Sequence, residues 1–563
     1  MAYGNSSKSL IHSQLGSSAI RKSLLLSLVL ISILLLCWNN SELFSWSTSS
    51  APSDPASTDR PSAASEVDEP DHDLPNHESS SHVIPASPSA TAIQTTTPSP
   101  LRLPAEYYVE SKDDSRCEDT YGLNYLNSLQ KSDQQYCKAA SSASTLNCFH
   151  TNVTADHTDS FCVASSVSID PHAEHNPFGL DCHLRNFTTE AAVSNSEPVT
   201  PDFQFFPDYM FETGPHRIFD GWFKNITHPL QDETDATRSA CAGKKSATDG
   251  YTILIKRDGG GHLWHSQMEI FSLFLTLDVL RSTTRHTSTP YFTSADIANA
   301  QVVILDSHPD GPFFDLWRLF AKKPVLRLKE WQAQLAAQSA AGEPLCLNNV
   351  LLPLPGASNP LWQGDWTPRD CTHSALLETY VQRLKTHYSI PDPSIRDPKA
   401  PITVTFVDRR KTRKLRNQDA MLKALQRRFP APDFHIQAVD LAHLSFGEQI
   451  EIMARTDVLA AVHGAGLTHA MFLPPEASVV EMLPPAFGHK GFRNLAKLRG
   501  LRYFSVHMEE KEQVEGWDGN WQAAEELVVR EEVFKGVMEA AVESVLHRGT
   551  RDGDVSVGGK RRR

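Results

Sequence analysis

Residues 456–485 read TDVLAAVHGAGLTHAMFLPPEASVVEMLPP, two apolar runs separated by a glycine turn. The first run, 458–462, is short, uncharged and rich in Val, Leu and Ala, the pattern of a strand buried on both faces of a parallel sheet. His463, Gly464, Ala465 and Gly466 follow as a turn in which glycine permits close approach of the backbone to a ligand. Leu467 opens a helix that Pro474 and Pro475 terminate, and 479–482 supplies the next strand. Strand, glycine turn and helix in that order present N–H groups and the positive end of a helix dipole in front of the turn, which suits the diphosphate of a nucleotide sugar. Glu481, near the end of the second strand, is placed to accept ribose hydroxyls. An ordinary strand-turn-helix joint has the same pattern, and what separates the two readings lies elsewhere in the chain.

Upstream, 401–407 (PITVTFV) is a strand, and Asp408-Arg409-Arg410-Lys411-Thr412-Arg413-Lys414-Leu415-Arg416-Asn417 follows it. Helices at 418–428 and 447–455 and a strand at 434–439 lead back to the opening stretch. An open α/β sheet binds ligands at the carboxyl ends of its strands, and guanidinium forks match phosphate oxygens. Arg409, Arg413, Arg416 and Asn417 therefore join His463, Gly464, Ala465, Gly466, Leu467 and Glu481 as donor-binding candidates, the alternative being a solvated basic loop.

An earlier α/β unit starts at 251–256 (YTILIK), turns through Asp258, Gly259, Gly260 and Gly261, and continues as a helix over 262–280 with a second strand at 300–306. His265 and Glu269 are four apart and share a helix face. Asp258 stands at the strand's carboxyl end. A Pro- and Trp-rich connector at 353–370, a helix at 374–387 and a loop at 391–401 follow, the last being the best boundary on composition. Residues 104–245 are cysteine-bearing and loop-rich, with a weak strand at 161–167, and 525–546 is a helix expected to pack back across the body.

The two ends are of another kind. Residues 1–22 are polar and end in Arg21-Lys22, and 23–38 (SLLLSLVLISILLLCW) is apolar and uncharged. That run reads as an uncleaved signal anchor, because the residues after it lack a small-x-small cleavage site. The basic residues before it put the N-terminus in the cytosol and the rest in the lumen, a single-pass type II arrangement. From 39 to 103 Ser, Pro, Thr and Asp dominate and a disordered stem is expected; 549–563 reads as a disordered tail. The domain plan is thus 1–22, 23–38, 39–103, a first catalytic domain at 104–395, a second at 396–548, and the tail. A net charge of −14 at pH 7 argues against nucleic acid as a partner. Eight of nine cysteines lie beyond the apolar run, which suits luminal disulfides. Cys346 and Cys371 flank the Pro- and Trp-rich connector and are expected to pair. Asn152, Asn186 and Asn225 begin glycosylation sequons.

These blocks resemble glycosyltransferase family 61, which includes plant β-1,2-xylosyltransferases and EGF-domain-specific O-linked N-acetylglucosamine transferases. The family's terminal block is similar to His463-Gly464-Ala465-Gly466-Leu467-Thr468-His469 with Pro474, Pro475 and Glu481. Its arginine block is similar to Arg409, Arg413 and Arg416-Asn417, and Glu448-Gln449-Ile450 matches the helix before the last strand. Its N-terminal element is similar to Gly261-His262-Leu263-Trp264-His265-Ser266-Gln267-Met268-Glu269, with Glu where Asp is commoner. The resemblance implies a GT-B fold of two facing Rossmann-like domains and inverting transfer of N-acetylglucosamine or xylose from a UDP-sugar to a glycan or protein hydroxyl, in the Golgi or endoplasmic reticulum. Inversion needs a base and a stabilised leaving diphosphate. The expectation is His265 as base, oriented by Glu269, with Asp258 as the alternative base. Asp-x-Asp occurs only at Asp71/Asp73 and Asp552/Asp554, away from strand ends, so no metal and no cofactor are expected. The rival class is a non-catalytic luminal protein that binds a nucleotide sugar or glycan.

Overall fold

Uncharged β-branched runs become strands buried on both faces, and the chain builds two parallel arrays from them. In the first half lie β1 (Gln134–Gln135), β2 (Thr145–Thr154), β3 (His157–Ser165), β4 (Val167–Ile169), β5 (Phe178–Gly179), β6 (Thr252–Ile255), β7 (Gln301–Ile304), β8 (Leu326–Arg327), β9 (Leu345–Leu347) and β10 (Val350–Leu352). The main sheet runs β1-β2-β3-β10-β6-β7-β8, parallel from β10 to β8 and extended by the antiparallel β2–β3 hairpin. A small sheet, β5-β4-β9, lies beside it.

The second half holds β11 (Ile402–Val407), β12 (Lys414–Leu415), β13 (Phe434–Val439), β14 (Val458–Val462), β15 (Ser478–Leu483), β16 (Arg502–His507), β17 (Glu526–Leu527) and β18 (Val555–Val557). Its main sheet, β13-β11-β14-β15-β16-β18, is parallel throughout. Every residue of β14 and β15 is buried. The computed structural model describes residues 107, 114–138, 142–154, 157–194, 200–206, 213–224, 241, 243–285, 289–339, 343–391, 399–509, 524–547 and 555–557, all within the unit Thr95–Arg563. The expected anchor and cytosolic tail, the stem, Asn225 and most of the boundary loop lie outside the described residues. Among the described residues no helix is long and apolar enough to cross a membrane.

The helix Leu263–Ser282 is buried on almost every side, packed from several directions, with buried polar residues such as Gln267, Ser272 and Asp278 among the apolar ones. One hydrophobic core runs from Ile253 and Ile255 of β6 through Met268, Phe271 and Leu275 of this helix to Leu377 and Tyr380, and on to Leu467, Met471 and Phe492 of the second half. The two sheets are therefore joined through shared packing. On the far face of the second sheet, helices Gln418–Arg428 and Glu531–Leu546 close another core. The last helix starts six residues later than the sequence expects, because Glu526–Leu527 is drawn into β17 beside β12. Within the tail, Val555–Val557 adds an edge strand on β16.

The cysteine pairing differs from the expectation. Cys346 does not join Cys371: it pairs with Cys241 (Cα–Cα 5.5 Å), while Cys371 pairs with Cys117 (5.6 Å). The segment between Cys346 and Cys371 does not close on itself. Cys346 sits in β9, held by β4 in the small sheet, whereas Cys371 is carried to the shared core beside helix Ser115–Tyr121. Cys137–Cys182 and Cys148–Cys162 complete the set among the described residues. Asn186 is exposed and caps helix Phe187–Val193 by accepting from Thr189 N–H at 2.6 Å; Asn152 lies in β2.

Candidate active site

Each parallel array reverses direction of growth once, and open α/β sheets bind ligands at that crevice. In the second sheet the chain goes from β11 outward to β13 and then returns to β14 on the other side. The loops after β11 and β14 meet there. The backbone bends through Arg413 and Asn417 with φ of 57° and 60°, and Arg413 Nη1 donates to His463 C=O at 3.0 Å. Gly464, at φ 148°, lies under the guanidinium groups. A Cβ built on it would stand 2.9 Å from Arg413 Nη1 and 3.5 Å from Arg409 Nη1. Burial first, and then the neighbouring Arg409, push the Arg413 pKa down to about 10; burial lowers that of Arg409 as well. Two half-buried like charges held side by side still remain cationic at neutral pH. An anion placed between them would relieve both the desolvation and the repulsion.

The turn after β14 is built as the sequence expects, but several of its groups are already engaged. Ala465–Phe472 is a 3-10 segment, with Leu467 N–H donating to Gly464 C=O at 2.9 Å and the Leu467 side chain in the core. Gly466 packs on Val407, which a Cβ would approach to 3.1 Å. His469 bridges Gly466 C=O (3.0 Å) and Gln449 Oε1 (2.9 Å), so the Glu448-Gln449-Ile450 block serves to hold the turn. Glu481 is buried, with both carboxylate oxygens taken by internal partners. Its Oε1 meets His463 Nδ1 at 2.5 Å and its Oε2 accepts from the Tyr503 hydroxyl. A carboxylate in the middle of a buried strand needs internal partners; these fix His463, whose carbonyl in turn receives Arg413.

Arg416 also departs from the expected cluster, for its Nε donates to Glu526 Oε2 at 3.0 Å on an exposed surface. Asn417 is exposed beside Arg409 and does not reach Gly464. With Asp408, Arg409, Lys414 and Gln418 it borders a recess of about 400 Å³.

The first sheet repeats the topology: from β6 the chain grows to β7 and β8, then returns to β10 on the opposite side. Buried Arg257 locks the end of β6 to the end of β7 through Asp306 (Nη2 to Oδ1, 2.9 Å) and His308 C=O (2.7 Å). Asp258 comes next and its carboxylate Oδ2 contacts His265 Nδ1. Glu269 does not orient the imidazole. Its Oε1 accepts the Asp258 backbone N–H at 2.6 Å, while Oε2 is buried with no hydrogen-bond partner. The loop after β6 folds over the first turn of the helix and interposes Asp258, which is why spacing along the helix alone misassigns the partner. Desolvation raises the Glu269 pKa well above the usual carboxyl range, so the acid form is favoured.

Three residues that the motif reading did not single out complete the arrangement. Trp362, from the connector, packs its ring 4.6 Å from His265. His262, 4.2 Å from His265, lies exposed to the cleft; its pKa is lowered first by desolvation, then by His265 and by the guanidinium groups of Arg413 and Arg409, against Asp258. The second-half arginines thus act on the first-half helix start. His489 contacts His463 (5.2 Å) and pairs with Asp365 (Nε2–Oδ2, 3.1 Å). The i,i+3 spacing of His262 and His265 was a signal available in the sequence; the contacts of Trp362 and His489 arise only from folding.

Residues 357–480 match the family Glycosyltransferase 61. The chain is 30% identical over 256 residues to the EGF domain-specific O-linked N-acetylglucosamine transferase of Drosophila melanogaster, covering 45% of this chain and 44% of that protein. It is 26% identical over 259 residues to the Mus musculus protein of the same name, with 45% and 44% covered, and 24% over 257 residues to that of Xenopus laevis, again 45% and 44%. The matched length is somewhat less than half of these curated relatives. The chain resembles family-61 glycosyltransferases, and the matched region contains the arginine pair and the glycine turn.

Proposed function

We propose that this protein is an inverting glycosyltransferase that moves N-acetylglucosamine or xylose from a UDP-sugar to a glycan or protein hydroxyl. One observation carries the reading: Arg409 and Arg413 stand over Gly464 and lie near enough to His262 to act on it, while His262 packs 4.2 Å from the His265 that Asp258 holds, and Phe492 touches both Trp264 of that helix and His463 of the turn. The diphosphate lies against the two guanidinium groups at the β11/β14 crevice, and their charge stabilises it as it departs. His265 takes the proton of the acceptor hydroxyl, and Asp258 holds the ring and stabilises the imidazolium that forms. Glu269 positions Asp258 through its backbone. Leaving-group stabilisation by arginines makes a metal unnecessary in this scheme. The two facing crevices fit a GT-B arrangement, and the uncharged run at 23–38 fits a type II anchor in the Golgi or endoplasmic reticulum membrane.

The test is release of UDP by the purified full-length protein from UDP-N-acetylglucosamine and UDP-xylose, with and without glycan and protein acceptors. Acceptor-dependent release with either donor is expected. UDP binding with no turnover for any acceptor would instead favour a non-catalytic binding protein.

A further inference from the structure

Among the described residues few large apolar side chains are strongly exposed, and Trp366, 61% exposed, differs from the others in its place. Val193 and Phe205 belong to the first half of the chain and Leu546 ends the helix behind the second sheet. Trp366 stands at the cleft. Its ring lies 5.4 Å from Phe487 and 5.2 Å from His489, and both of these contact His463 (4.8 and 5.2 Å). Four residues earlier, Trp362 touches His265. The segment from 362 to 366 therefore begins at the proposed base and ends beside the donor turn.

The ring is braced without being covered. Gly364 turns the segment at φ 74°, Lys490 N–H donates to Asp365 C=O at 2.6 Å, and the Asp365 carboxylate holds His489. Phe487 and His489 meet the indole nearly at right angles, 77° and 89°. A braced, solvent-facing indole with the His489 imidazole beside it, itself held by the Asp365 carboxylate, matches a pyranose: the C–H face of the sugar lies on the negative face of the ring while its hydroxyls reach the neighbouring polar groups. A folded protein partner would need roughly 800 Å² on each side and several apolar anchors. One exposed indole backed by a single partly covered phenyl ring and an imidazole offers no such patch.

Building on the glycosyltransferase reading, we infer that Trp366 is the platform for a sugar ring of the acceptor, so that the acceptor class is a neutral oligosaccharide. Saturation-transfer NMR with the full-length protein in detergent tests this, using xylotriose, mannotriose, triacetylchitotriose and UDP as separate probes. The wild type is expected to saturate the ring protons of at least one trisaccharide. Trp366→Ala should weaken that signal by about fivefold or more, with Trp366→Phe retaining most of it. UDP should be bound alike by all three proteins. A trisaccharide signal unchanged in Trp366→Ala, or absent from wild type that binds UDP, overturns the platform and leaves the donor site standing. Loss of UDP binding by wild type, with a Trp366-dependent trisaccharide signal intact, would instead overturn the donor assignment alone.

Discussion

The two sheets bring the same topological device to the cleft and load it with different chemistry. At the β11/β14 crevice the loops carry guanidinium groups and a glycine that lets them approach the backbone. At the β6/β10 crevice they carry a carboxylate and imidazole. Glycine serves the two crevices in different ways: at Gly464 an added Cβ would meet the arginines, whereas at Gly356 it would meet Glu269 Cγ at 2.8 Å and its backbone N at 3.0 Å. At the second crevice the glycine leaves room for the arginines; at the first it lets the chain close on Glu269, which holds the Asp258 backbone. Under the proposed function the difference is a division of labour, with charge neutralisation on one side and proton handling on the other.

The sharpest way to break that division is on the proton-handling side. His265→Ala and Asp258→Asn should each lower kcat by about 10²- to 10⁴-fold while leaving UDP affinity unchanged in calorimetry. If either variant loses UDP binding to the same extent, the two crevices do not have separate tasks. On the other side, Arg413→Ala should weaken UDP binding by about 2 kcal/mol, or ~30-fold, by leaving a phosphate unpaired. Gly464→Val should do likewise by driving a branched side chain into Arg413. Wild-type affinity in both variants, on protein shown to be folded by circular dichroism, would refute the donor assignment.

Glu269 sharpens the comparison from within the first crevice. Its folded-state pKa is raised by burial, so folding favours the protonated carboxyl. That contribution is fully present below the unfolded carboxyl range and is lost as pH rises through the raised value. Glu269→Gln removes the titration while its amide oxygen still accepts the Asp258 N–H. The wild-type melting temperature should therefore fall more steeply than that of the variant as pH rises above the ordinary carboxyl range, and kcat of the variant should stay within about tenfold of wild type. Parallel melting curves above that range would show that Glu269 does not titrate as its burial requires.

How much of this was legible follows from what each region is made of. The strands Ile402–Val407, Phe434–Val439 and Val458–Val462 and the helix Gln418–Arg428 lie where apolar runs and basic, polar flanks place them; for the first and third this is because a strand buried on both faces has little freedom in composition, while Phe434–Val439 is a half-exposed edge strand. The first third resisted reading. Its β2–β3 hairpin aligns Cys148 with Cys162, and the remaining pairings join residues 45 to 254 positions apart, which no local pattern records. In the candidate site, the residue types in the sequence did not name their partners. Asp258 reaches His265 by a loop folding back, and Glu481 is consumed by His463 and Tyr503. Both outcomes are tertiary.

The smallest expected effect is the one at Arg416, and it tests whether the basic run acts as a whole or only through its two inward members. Sequence alone ranks Arg416 with Arg409 and Arg413, since all three follow the same strand. In the fold, Arg413 turns toward His463, whereas the Arg416 side chain is 44% exposed and paired with Glu526, itself 46% exposed. A solvated pair of this kind contributes about 0–1 kcal/mol at most and is screened by salt. Arg416→Ala should accordingly change UDP affinity and kcat by less than about threefold, with a melting temperature near that of wild type. A loss comparable to that of Arg413→Ala would mean that Arg416 leaves Glu526 when donor binds, and the donor crevice would then extend along the whole 408–417 run.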